Sequence, residues 1–256
     1  MKIISFSDIH LEYPKDLKVP QSDADLLVLS GDILNMHQPE PLRVFLNGWT
    51  KPVIYVAGNH EYYDGKSMTP LLQGFRQWLR NNLPQVTLLD SEAAVVHGVN
   101  FFGGTMWTDF AGGDENAMAA AAPRMHDYKL IHTDAGRLLT PQDTVPLHEA
   151  FTEKLVRWLE TPLRGPRVVI THHAPCEPPD TIHKGSPLTP AFNSFNMLPL
   201  IEKYQPDLWF YGHTHECDRQ KIGRTQVISN QLGYVRNGQY ECEFSFDPGG
   251  ALVEVG

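Results

Sequence analysis

Short apolar runs recur along the chain, at Ile3–Ser7, Asp25–Ser30, Pro52–Ala57, Val99–Gly103, Arg167–Thr171, Leu208–Tyr211 and Thr225–Ser229. They are rich in Val, Ile, Phe and Tyr and are bounded by Gly, Pro, Asp or Asn, which predicts strands covered on both faces. Between them, Pro70–Asn82 and Pro146–Leu159 carry apolar residues three and four apart, which predicts amphipathic helices. Each opens near a Pro and carries basic residues late, as the helix dipole favours. From Val86 to Trp107 the pattern turns to paired β runs about a His97-Gly98 turn, which predicts a hairpin or the start of a second sheet. Strands alternating with helices predict an α/β protein, a layered α/β/β/α sandwich of two mixed sheets flanked by helices.

The connection Thr108–Thr144 breaks this rhythm. Gly112-Gly113 is followed by an alanine-rich run from Ala117 to Ala122, then by a polar stretch with Arg124, His126, Lys129, His132 and Arg137. A connection that long inside a compact domain reads as a lid or binding insertion. No internal repeat or low-complexity linker interrupts the chain, so the expectation is a single domain over 1–256 with a cap or substrate-wall insertion at about 108–144.

Composition removes alternatives. Hydrophobic and charged fractions of 41% and 20% match globular proteins, which excludes a disordered or fibrous chain. A formal charge of −9 disfavours a protein that grips long tracts of nucleic-acid phosphate, because that requires clustered Lys and Arg. Cys176, Cys217 and Cys242 are odd in number, widely spaced and without a CxxC, which argues against a secreted disulfide framework. The N-terminal MKIISFSDIH reaches Asp8 too soon for a signal peptide, and no run approaches the ~20 apolar residues of a membrane span. A cytoplasmic protein without membrane contact is expected; oligomeric state is not legible.

The chemistry gathers at strand ends. Asp8 and His10 follow the first apolar run, Gly31-Asp32 the second, Gly58-Asn59-His60-Glu61 the third, Thr171-His172-His173 a later one, and Gly212-His213-Thr214-His215 another. In layered α/β sheets, sites lie beyond the carboxyl ends of strands, so these clusters should converge. Carboxylates, imidazoles and an amide oxygen form a mixed N/O donor set suited to Mn, Fe or Zn and poorly suited to Ca. Asp32 is the candidate bridge of a metal pair, whose ions typically lie roughly 3.5–4 Å apart. The glycines before Asp32, Asn59 and His213 suit tight bends and close backbone approach.

These motifs, DxH, GD, GNHE, a strand-end His in HHAP, and GHTH, resemble in order and spacing those of the calcineurin-like metallophosphoesterases over Ile3–His215. The resemblance implies that Asp8, His10, Asp32 and His215 hold one metal ion, and that Asp32, Asn59, His172 and His213 hold the other. It implies two divalent or trivalent cations, hydrolysis of a phosphomonoester or phosphodiester by metal-bound hydroxide, and a catalytic role for Asp32. His60 would be a general acid or charge stabiliser facing the phosphoryl oxygens or leaving group rather than a ligand. The substrate expected is a small phosphorylated molecule such as a nucleotide. The alternatives are a nuclease of the same family, which the acidic balance disfavours, and a non-catalytic metal-binding scaffold, which would be expected to have lost a ligand.

Other polar residues have plainer readings. Arg124 and His126 are candidate substrate contacts, although basic residues on an insertion are commonly a solvated face; Lys129 and His132 are weaker candidates. His173 reads as a hydrogen-bonded neighbour of His172. Tyr62 and Tyr63 read either as base-stacking groups or as buried support for their loop. Cys176 and Cys217 read as apolar packing, and His37, His97 and His183 show no partner in the sequence.

Overall fold

The computed structural model describes residues 1–13 and 17–256. Five strands form the first sheet: β1 (Lys2–Phe6), β2 (Leu26–Ser30), β3 (Val53–Val56), β4 (Val86–Leu89) and β13 (Val253–Glu254), in the order β13-β1-β2-β3-β4. β1 to β4 run parallel, and β13 pairs antiparallel with β1. Six strands form the second sheet: β5 (Glu92–Val96), β6 (Val99–Gly104), β7 (Arg167–Thr171), β8 (Leu208–Tyr211), β9 (Asp218–Ile222) and β10 (Thr225–Ser229), in the order β5-β6-β7-β8-β10-β9. β6, β7, β8 and β10 are parallel and the edge strands β5 and β9 antiparallel, so both sheets are mixed. A separate short hairpin joins β11 (Val235–Arg236) and β12 (Gln239–Tyr240).

Alternation of side chains builds the layers. Ile3, Leu26, Val28, Ile54 and Val56 face Val99, Phe101, Val168, Ile170, Leu208 and Phe210 across the inter-sheet core. The intervening Ile4, Phe6, Leu27, Leu29, Val53 and Tyr55 pack against Leu71, Phe75 and Leu79 of the helix Met68–Asn82. On the far side, Phe102, Val169, Trp209 and Val227 meet Phe151, Leu155 and Leu159 of the helix Pro141–Glu160. Each large aliphatic side chain so buried contributes about 1.5–3 kcal/mol, which is why these strands carry apolar residues on both faces. The α/β/β/α sandwich expected from the sequence is the fold found.

Three boundaries differ from the sequence expectation. The helix predicted from Pro70 starts at Met68, because Pro70 falls in the first turn, where no N–H is needed. The helix predicted from Pro146 starts at Pro141, behind a capping box between Thr140 and Asp143, and Pro146 sits inside it at the loss of one backbone hydrogen bond. The β-rich stretch Val86–Trp107 divides: β4 completes the first sheet, while β5 and β6 form a hairpin that opens the second. Its two-residue turn has His97 at φ 49° and Gly98 at φ 81°, matching the strand twist.

The segment 108–144 contains the short helices Glu115–Ala121 and Asp127–Leu130. Phe110, Ala117, Met118, Ala121 and Met125 form a small core of their own, joined by Ala191 from the helix Thr189–Phe192. Among the described residues, no helix is long and apolar enough to cross a membrane.

Candidate metal centre

The ends of β1, β2 and β3 in one sheet and of β7 and β8 in the other meet at a single edge. There the metal-competent atoms of Asp8, His10, Asp32 and His215 lie within 4.8 Å of one another, as do those of Asp32, His172 and His213. Asp32 is common to both groups, the position expected of a bridge. Asn59 joins the second group, its Oδ1 lying 2.9 Å from His172 Nε2. All seven residues singled out in the sequence as metal-competent are therefore together, and all but His215 are almost fully buried.

The close approach of backbone segments makes this assembly feasible. A Cβ at Gly58 would overlap the Asp32 carboxylate, and one at Gly212 would overlap Ser7 Oγ and Asp8. Around these bends, Asp8 accepts hydrogen bonds from Ser7 Oγ (2.5 Å) and from the His213 N–H (3.0 Å). Glu61 is a strut: its carboxylate accepts from the N–H groups of Asp32 (3.0 Å), Ile33 (2.8 Å) and Gly58 (2.7 Å) and from Tyr55 Oη (2.5 Å). It ties the end of β2 to the end of β3.

The imidazoles are aimed by their outer nitrogens. His10 Nδ1 donates to Glu12 (3.1 Å), and His215 Nδ1 pairs with Glu241, which leaves the two Nε2 atoms facing each other at 3.2 Å. His172 Nδ1 lies 3.0 Å from Ser30 O, while its Nε2 faces Asn59 Oδ1, His213 Nδ1 (3.1 Å) and Asp32 Oδ1 (3.3 Å). Asn59 cannot relieve this crowding by turning its amide. Its Nδ2 already donates to Asp127 (2.8 Å) and to Tyr63 Oη (2.9 Å).

Burial holds His172 down to about 4 and His10 down to about 3, so both rings are neutral near pH 7. A neutral imidazole has one N–H, yet both nitrogens of His172 face oxygen acceptors. One of those contacts is therefore unmatched without a cation. Burial would lower His215 too, but its hydrogen bonds to Asp8 and Glu241 outweigh it and raise the ring to about 9. Burial followed by repulsion from Asp8 and Glu61 pushes Asp32 well above the usual carboxylate range. Burial would also raise Asp8, but the hydrogen bond to His215 and the His172, His215 and His10 imidazoles outweigh it and hold Asp8 below that range. Burial and mutual repulsion thus oppose holding the Asp8 and Asp32 charges side by side. A donor set under this strain fits positive ions.

His60 lies beside the cluster, with Nε2 3.9 Å from Asp32 Oδ2. Rather than facing open cavity, its Nε2 accepts from Tyr234 Oη at 2.6 Å, and its Nδ1 donates to Glu12 at 3.0 Å. Tyr234 itself lines a cavity of about 550 Å³ that opens onto Asp32, Asn59, His213 and His215. Arg124 and His126 line the same cavity from the 108–144 segment, whereas Lys129 and His132 lie outside its lining and Arg137 is paired with Asp143. His183 is also in the wall. His173 does not reach the donor cluster: its Nδ1 lies 3.1 Å from Thr105 O and its ring packs on His213 at 4.2 Å. Tyr62 is core beside Trp107, and Tyr63 supports Asn59.

Sequence reading passed over Glu12, Asp127, Tyr234 and Glu241. Only Glu12 had a local signal, two positions after His10. The other three come from the insertion and from the segment beyond the last motif, and no spacing links them to the ligands.

A family model described as calcineurin-like phosphoesterase matches residues 1–217. An uncharacterised protein of Acanthamoeba polyphaga mimivirus is 27% identical over 263 residues, covering 91% of this chain and 92% of that protein. Among solved structures, the phosphopantetheinyl hydrolase of Mycobacterium tuberculosis shares the fold with a TM-score of 0.71 at 16% identity, over 91% of this chain and 89% of that one. With the strand-end donors assembled on a two-sheet sandwich and the model spanning all of them, the chain belongs to the calcineurin-like phosphoesterases, hydrolases of phosphoric ester bonds.

Proposed function

We propose that this protein is a binuclear metal-dependent phosphohydrolase acting on a small phosphorylated molecule, a phosphomonoester or phosphodiester. The observation that carries the reading is the convergence of the metal-competent atoms of Asp8, His10, Asp32 and His215, and of Asp32, His172 and His213, each group within 4.8 Å at one buried edge. A cation there would also lie between His172 Nε2 and Asn59 Oδ1, an amide oxygen held in direction by the contacts of its nitrogen with Asp127 and Tyr63. Asp8, His10, Asp32 and His215 would hold one ion and Asp32, Asn59, His172 and His213 the other, in a mixed donor set suited to Mn, Fe or Zn. When bound, such ions supply Lewis acidity to phosphoryl oxygens and bring the pKa of water toward about 7.

The chain's own residues orient and move protons. Glu12 holds His10 and His60 at once, so one carboxylate couples a ligand to the candidate general acid. His60 and Tyr234 form a proton-carrying pair whose outer member lines the cavity. Arg124 and His126 are proposed substrate contacts, and the 108–144 segment is the substrate wall of a single-domain protein. The net acidity favours a small substrate over nucleic acid, and the three free cysteines suit the cytoplasm.

The test is hydrolysis of p-nitrophenyl phosphate and bis(p-nitrophenyl) phosphate by metal-stripped protein refilled with Mn, Fe or Zn. Turnover should require metal, and should disappear in Asp32→Ala together with bound ions. In His60→Ala it should fall by about 10²–10³-fold with metal retained. Wild type that binds two ions and turns over neither ester would move a highly selective pocket or the scaffold reading to the front.

A further inference from the structure

The cavity above the donors is large for a phosphate group alone. Its volume of about 550 Å³ lies in the range of pockets that enclose a whole organic ligand. Part of its wall is apolar, formed by Met125, Leu188 and Phe192, with Ile182 at its edge. Phe192 stands directly at the donor cluster, its ring centroid 4.9 Å from that of His213 and the rings tilted by 35°.

The wall is backed by packed structure. Leu188 and Phe192 lie half-buried on the cluster of Phe110, Ala117, Met118, Ala121, Met125 and Ala191. That cluster joins the 108–144 segment to the helix Thr189–Phe192, so the apolar surface is held from beneath by two separate parts of the chain. The same segment supplies Asp127, which holds Asn59. The parts of Leu188 and Phe192 left uncovered by this packing face the cavity, where contact with an apolar group is favourable. The polar groups, Arg124, His126, His183 and Arg236, also line the cavity and can hold further oxygens.

We infer that the substrate is a phosphate ester whose organic part carries an apolar or aromatic group, seated on Met125, Leu188 and Phe192 beside His213. The inference rests on the phosphohydrolase reading and adds the class of substrate; sugar phosphates and inorganic polyphosphate lack the group that would cover this wall.

Two non-hydrolysable probes separate the inference from its premise: methylphosphonate and 2-phenylethylphosphonate, titrated calorimetrically into Mn-loaded wild type, Phe192→Ala and Leu188→Ala. The phenylethyl probe should bind wild type about tenfold tighter or more, as expected for partial burial of a ring. The ratio between the probes should fall toward one in Phe192→Ala and drop in Leu188→Ala, with either variant sufficient if the other fails to fold. Equal affinity of the two probes for wild type overturns the apolar seat while leaving phosphoryl binding intact. A preference that survives both substitutions overturns the assignment to this wall. Failure of both probes to bind protein that holds its metal overturns the phosphohydrolase reading and the inference with it.

Discussion

At the residue scale, the site is built from backbone that most side chains avoid. Asp8, His10, Asp32, His213 and His215 have φ of 52°, 45°, 53°, 72° and 51°, in the left-handed region. Such conformations cost about 1 kcal/mol or more each and persist where surrounding bonds over-determine them. Here the Glu61 carboxylate and the Asp8–His213 backbone contact do so. Individual side chains are fixed just as strictly, and Asn59 depends on Asp127 for the direction of its amide oxygen. Replacing Asp127 by Ala should free that amide and weaken one of two Mn equivalents by about 10–100-fold while sparing the other, read by titrating metal-stripped protein. Equal affinity in variant and wild type would show that Asn59 is held without it.

At the element scale, each strand delivers its candidate donor from a sheet whose outer face is covered by helices. The helix Pro141–Glu160 carries the apolar row that covers β6, β7 and β8, and its start is set by Asp143. That carboxylate accepts from the Thr140 N–H at 2.8 Å and pairs with Arg137 at 2.6 Å. Arg137 foremost, then Thr140, holds its pKa down to about 2 from an ordinary 3.8. The unfolded chain therefore binds the proton more readily than the folded one, so Asp143 stabilises fully above about pH 4 and loses this effect as pH falls through about 2. Asp143→Asn should cost about 1 kcal/mol at neutral pH, a capping-sized effect that solvent screening keeps small. Urea midpoints of variant and wild type should converge as pH drops from about 4 to about 2; a gap that does not change with pH would assign the cap to geometry alone.

At the scale of the whole molecule, the donor edge sets buried like charges together, and a bound cation should offset them. It gathers buried imidazoles and an electrostatically opposed carboxylate pair at one edge of a largely apolar inter-sheet core. An ion that binds only the folded chain stabilises it by about 4 kcal/mol at a thousandfold excess over Kd. For a chain of this size that corresponds to a rise of about 10 °C in Tm, so chelation followed by Mn addition should move the melting curve down and then back up. Identical melting with and without metal would mean that the cluster binds none.

What could be known from the sequence was what local pattern encodes. Short apolar runs bounded by turn residues marked the strands, three-and-four spacing marked the helices, and abrupt polar endings marked Asp8, Asp32, Asn59, His172 and His213, since each motif follows its strand by only a few residues. Even there, Pro70 and Pro146 misplaced two helix starts, because a proline inside a first or second turn looks like a boundary when hydrogen bonding is invisible. The partners were decided by tertiary structure alone. Glu241 meets His215 from 26 positions away, Asp127 meets Asn59 from 68, and Tyr234 meets His60 from 174. The Phe192 wall is of the same kind, since an apolar residue at the end of a one-turn helix becomes a candidate substrate surface only when the fold sets it against His213. Side-chain periodicity records which face of an element is buried, whereas which distant atoms share that burial is fixed only when the sheets stack.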